Sequence, residues 1–166
     1  MKDPANHGTP QSTGESRRIT DEKLFRYLID FEIQKAQRLQ YCISVVCIGP
    51  DLPAPDASRL STQHIFQAML RRTRATDVVA ALPDAAFSVL LIDAEIEYLL
   101  GIIGRLCDEL CALTGLPTAR TPAATWSAGG ACYPKTATAG RQLLQQASDL
   151  LALARREGGN RCYVAS

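Results

Sequence analysis

Arg74-Ala-Thr-Asp77-Val-Val-Ala-Ala-Leu-Pro83-Asp-Ala-Ala-Phe87 reads as a turn, a strand, a second turn and the start of another strand. Val78, Val79 and Leu82 give the first β-prone run, Pro83-Asp84 the reversal, and Phe87-Ser-Val-Leu-Leu-Ile92 the second run. Arg-x-x-Asp stands where this hairpin begins. A guanidinium offers two parallel donors to the O6/N7 edge of guanine. A carboxylate three residues on can accept from the same base's ring N–H and exocyclic amine. The two residues equally suit a local ion pair or a cap at the start of a strand, and by themselves they leave both readings open.

Toward the C-terminus, Asp93 is expected to cap a long apolar helix through Leu113, its buried face being Ile96, Leu99, Leu100, Ile103, Leu106 and Leu110. Gly115-Leu-Pro117 stops it. Ala124 to Tyr133 reads as a strand whose glycines predict close approach of a neighbouring backbone, and Pro134 ends it. A last helix turns Leu143, Leu144, Ala147, Leu150, Leu151 and Ala154 inward, with Gly158-Gly159 as its C-terminal cap. Arg161 to Val164 finishes as a short strand.

Toward the N-terminus, a helix from Ser58 or Ser61 to Arg72 buries Ile65, Phe66, Met69 and Leu70. Before it, the prolines between Gly49 and Asp56 break regular structure. Tyr41 to Ile48 is uniformly β-prone, as expected of a central strand buried on both faces. Thr20 or Asp21 caps a helix in which Leu24, Phe25, Leu28, Phe31, Ile33 and Ala36 recur at helical spacing. Residues 1–18 lack apolar periodicity and read as a disordered tail, leaving 19–166 as one domain. The order of elements predicts an α/β (α+β) fold with an about five-stranded mixed sheet under helices.

Composition narrows the function classes. With 18 Lys+Arg against 17 Asp+Glu, no overall field draws in nucleic acid or an anionic membrane, so any anion must be held locally. No apolar run reaches the roughly 20 residues that span a bilayer, and no signal peptide opens the chain, which predicts a cytoplasmic protein. Six cysteines occur without a CxxC, and His7 and His64 are the only histidines. Cys107 and Cys111, a helical turn apart, lack nearby partners for a metal, so thiols in a reducing compartment are expected, with no metal and no cofactor.

Thr76-Asp-Val-Val-Ala80, Phe87-Ser-Val-Leu-Leu91, Ser127-Ala-Gly-Gly-Ala-Cys-Tyr-Pro134 and Ala154-Arg-Arg-Glu-Gly-Gly-Asn-Arg161 carry a further signal through their order and spacing. Together they resemble the GGDEF domain, the family of diguanylate cyclases that join two GTP molecules into cyclic di-GMP. The resemblance runs from Thr20 to Ala165 and implies the ferredoxin-like palm of nucleotidyl cyclases. Against the family's Gly-Gly-Asp/Glu-Glu-Phe, however, this chain has Pro83-Asp84-Ala85-Ala86-Phe87, where only Phe87 is retained. Ala85 has no oxygen for a divalent cation, and the first long strand ends at Gly49 where the family has a metal-binding Asp. Arg155 stands at the family's phosphate-binding Lys, whereas Gly159 replaces a second basic residue. Leu113-Thr-Gly-Leu-Pro117 resembles a motif from the family's N-terminus but lies after the post-hairpin helix, where it reads as a cap and turn.

The family's inhibitory, product-binding site is built on an Arg-x-x-Asp five residues before the signature. Arg74 and Asp77 keep that register, and Arg105, eighteen residues beyond Phe87, matches the Arg that completes the site. The resemblance therefore implies a catalytically inactive domain that receives cyclic di-GMP through Arg74, Asp77 and Arg105. It would regulate a protein partner such as an exopolysaccharide-synthesis component, with a ligand-dependent homodimer as a further expectation. The alternative is a ligand-free scaffold or dimerisation module. A third reading, resting on Arg155 alone, is GTP binding without turnover.

Overall fold

The computed structural model describes residues 19–51, 61–83, 86–114 and 124–166. The expected tail, the proline-rich break beyond Asp51, Asp84, Ala85 and the stop at Gly115-Leu-Pro117 lie outside them. Along the chain run β1 (Ile19–Thr20), α1 (Glu22–Leu39), β2 (Ile43–Pro50), α2 (Thr62–Arg71) and β3 (Val78–Leu82). Then follow β4 (Ala86–Ile92), α3 (Ile96–Thr114), β5 (Trp126–Tyr133), α4 (Gly140–Arg156) and β6 (Cys162–Val164). They form a mixed sheet in the order β1-β3-β4-β2-β5-β6. Six strands replace the expected five, because the two-residue β1 pairs parallel with β3 through Ile19–Val79 and Thr20–Ala80. A segment that short has no alternation of its own to announce it.

β2 is central, as its uniform apolar run requires. It pairs antiparallel with β4 on one side and β5 on the other, and Ile43 through Gly49 are all buried. Its pleat sorts the core into two halves. Val46 and Ile48 point to one layer with Phe66 and Met69 of α2 and Leu99, Ile103 and Leu106 of α3. Ile43, Val45 and Cys47 point to the other, with Phe25, Ile29 and Ile33 of α1 and Leu143, Leu144 and Leu151 of α4. Helices thus cover both faces of the sheet. Gly129 of β5 shows how closely α4 approaches: a Cβ there would stand 2.2 Å from the Ala147 carbonyl oxygen and 2.5 Å from the Leu151 nitrogen.

Several local expectations shift by a turn or a face. Asp21, not Thr20, caps α1, accepting from Leu24 N–H at 2.8 Å. Leu24 and Phe31 lie on the exposed side of that helix, because Phe25, Ile29, Ile33 and Ala36 already form the stripe that meets the sheet. Ser61 caps α2. Asp93 does not cap α3. It takes a left-handed φ of 53° in the turn after β4, and the helix starts at Ile96. Leu100, expected inside, is 54% exposed, since Leu99, Ile103, Leu106 and Leu110 fill the inward face. The expected strand through Ile48 and Gly49 continues to Pro50. The six cysteines form no disulfide, and the Cys107 sulfur lies 3.7 Å from that of Cys162 on β6.

Candidate functional site

α2 ends where its C-terminal turn swings into β3, and this turn holds Arg74 and Asp77. Asp77 is only 3% exposed. Its Oδ2 accepts from the Arg74 backbone N–H at 2.7 Å and its Oδ1 from that of Ile92 at 3.2 Å, while Asp77 N–H donates to the Arg74 carbonyl at 3.1 Å. Arg-x-x-Asp is therefore a self-closing turn fastened to the last residue of β4.

Arg71 and Arg72 tie the same region to α3. Arg71 Nε and Nη2 donate to Glu109 Oε1 at 2.9 and 2.7 Å, and Arg72 Nε donates to Oε2 at 2.7 Å. These hydrogen bonds hold the Glu109 carboxyl below the usual carboxylate range. The turn leading into α3 is fixed from the sheet, because buried Ser44 donates its hydroxyl to the Ala94 carbonyl at 2.8 Å. Between the two turns and α3 opens a cleft of about 600 Å³, lined by Arg74, Asp77, Tyr98, Gly101 and Arg105 among others. The three residues singled out in the sequence thus surround one concavity. Tyr98 was missed. The signal available for it was spacing, since Tyr98, Gly101 and Arg105 fall at i, i+3 and i+7 on one helix.

On the opposite face of the hairpin lie Pro83 and Ala86, which flank the altered turn. Leu82 pairs with Ala86, so β3 ends before Pro83 and Ala86 already belongs to β4. Ala86 and Phe87 are buried, and Phe87 meets Phe66 edge-on at 5.5 Å between ring centroids. A hollow of about 310 Å³ beside this loop is lined by Cys47, Pro83, Ala86, Glu22, Arg26 and Arg155 among others. Glu22 accepts from Arg26 Nη2 at 2.6 Å and Nε at 2.9 Å. Burial pushes the Cys47 thiol up to about 12. Arg155 Nε is buried with no hydrogen-bond partner among the described residues.

Asp51, just past the end of β2, accepts on Oδ2 from Asn160 N–H at 2.7 Å and the Thr125 hydroxyl at 2.6 Å. Gly159, with φ +74°, sits against that carboxylate, and a Cβ on it would stand 2.5 Å from Asp51 Cγ. The backbone and Asp51 together exclude a long basic side chain at that position. Among the described residues no group of three or more His, Cys, Asp or Glu is placed to hold a metal ion, and no helix is long and apolar enough to cross a membrane.

No family model matches the sequence, and no curated protein is similar to it. Solved structures are similar in shape. The GGDEF domain of YfiN (TpbB) from Pseudomonas aeruginosa is 21% identical with a TM-score of 0.74, covering 89% of this chain and 96% of that one. The GGDEF domain of DgcB from Caulobacter crescentus, solved in complex with c-di-GMP, is 15% identical with a TM-score of 0.73 over 88% of this chain and 91% of its own. The FimX GGDEF domain from Pseudomonas aeruginosa is 17% identical with a TM-score of 0.71, covering 87% and 94% of the two chains. Identity this low speaks for architecture, and the architecture of this chain is the nucleotidyl-cyclase palm of GGDEF domains.

Proposed function

We propose that this domain is a cyclic di-GMP receptor without diguanylate cyclase activity, which binds its ligand in the cleft between the α2–β3 turn and α3. The observation that carries the reading is the convergence of Arg74, Asp77 and Arg105 on that one cleft. Two guanidinium groups there suit guanine edges and faces. The DgcB domain, similar in fold, is a c-di-GMP complex, which supports the same ligand here. Loss of the cyclase activity is supported by Gly49, which stands where the family resemblance places a metal-binding Asp, and by Ala85 and Ala86 in the signature. Occupancy would pass to a protein partner such as an exopolysaccharide-synthesis component, and a stacked ligand pair bridging two domains would yield a homodimer.

Calorimetric titration with cyclic di-GMP at tens of micromolar protein tests the reading. Binding is expected, with Arg74→Ala and Arg105→Ala each weakening it about tenfold or more. No heat from the wild type, or unchanged affinity in both variants, would sink it. Incubation with GTP and magnesium is expected to yield no cyclic di-GMP. One observation favours a second reading, a ligand-free scaffold: the Asp77 carboxylate already fastens its own turn. That reading predicts no nucleotide effect on the melting temperature.

A further inference from the structure

The cleft has a wall that Arg74, Asp77 and Arg105 do not account for. Tyr98, Gly101 and Arg105 all line it from a single stripe of α3. Tyr98 is 68% exposed, while its neighbour Leu99 is fully buried in the sheet-facing core. Core packing therefore does not explain an aromatic ring at this position. Gly101 is likewise unexplained by crowding, since a Cβ there would meet only Arg105 Nη1 at 3.9 Å, an ordinary contact. A helix interior favours almost any other residue over glycine. The same contact shows Arg105 folded back along the helix over Gly101. The backbone at Gly101 is thus covered only by that mobile guanidinium, with the exposed Tyr98 ring one turn away on the same stripe. Asp93 and Glu95 line the cleft beside Tyr98, and their negative charge opposes a phosphate there and leaves that end to a neutral ring.

We propose that Tyr98 is a stacking platform for a purine base of the ligand, with Gly101 leaving room for the base once the Arg105 guanidinium swings off the helix to become the opposing plane. This rests on the receptor reading above and assigns a residue to it. Base-on-aromatic stacking needs only an open π-face, which Tyr98 presents, and it tolerates loss of the phenol hydroxyl.

Cyclic di-GMP is titrated into the full chain carrying Tyr98→Phe, Tyr98→Ala, Gly101→Leu or Arg105→Ala, with thermal melts of each variant as folding controls. Tyr98→Phe is expected to bind within about twofold of wild type and Tyr98→Ala about ten- to a hundredfold more weakly. Gly101→Leu is expected to melt no lower than wild type, because it replaces a helical glycine at an open position, and yet to lose binding. Wild-type affinity in Tyr98→Ala or Gly101→Leu, beside lost affinity in Arg105→Ala, overturns the platform and leaves the receptor reading standing. Absence of binding by the wild type overturns both.

Discussion

Asp77 and Arg74 share a turn yet differ in what they contribute to it. Asp77 is buried and holds two backbone N–H groups, whereas Arg74 is exposed at the cleft. Asp77→Ala should therefore cost about 2–3 kcal/mol in urea unfolding, since it strands two donors in a place with little water. Arg74→Ala and Arg105→Ala, at exposed positions, should stay within about 0.5 kcal/mol of wild type. Arg74 and Asp77 were legible because two charged residues at a fixed offset are a discrete signal, while Arg105 entered only through the resemblance to GGDEF domains. Tyr98 was not legible, because the same ring type serves a core or a surface, and only the phase of α3 decides between them. Leu100 carries the same lesson in reverse: its side chain reads as core, but four other aliphatic positions already fill the inward face.

Elements were easiest to read where burial is uniform. β2 declared itself by an unbroken β-prone run, and α4 by a clean apolar stripe ending at two glycines with positive φ. The start of α3 was harder, since Asp93 has the chemistry of a cap but sits in a left-handed turn that carries the chain off the sheet. The predicted close approach at the β5 glycines is met at Gly129, where α4 presents main chain that no rotamer change can move aside. Gly129→Ala should accordingly destabilise by about 1–3 kcal/mol or more in thermal unfolding, as overpacking against a rigid neighbour does. A wild-type melting temperature in that variant would mean that α4 shifts outward at little cost.

Across the whole molecule, the hairpin is a partition between two concave sites. One face carries the cleft of about 600 Å³ with three arginines, the other the hollow of about 310 Å³ beside the altered signature. Because a ligand that binds only the folded state stabilises it, cyclic di-GMP at a hundredfold excess over its Kd should raise the melting temperature by about 5–10 °C. GTP should leave it unchanged. A shift with GTP and none with cyclic di-GMP would transfer the binding function to the hollow at Arg155.

Periodicity, turn residues and spacing determined the mixed sheet, its central strand, its covering helices and the Arg74–Asp77 pair, because each is a local pattern written within a few turns of chain, whereas Arg105 was joined to that pair by the family resemblance. Tertiary structure alone decided the rest. The pairing of β1 with β3 joins segments distant in sequence. The use of Asp77 as a fastener depends on Ile92, fifteen residues away. The exposure of Tyr98 depends on how α3 is rolled against the sheet. These are properties of which faces meet, and sequence order does not contain them until the chain has folded.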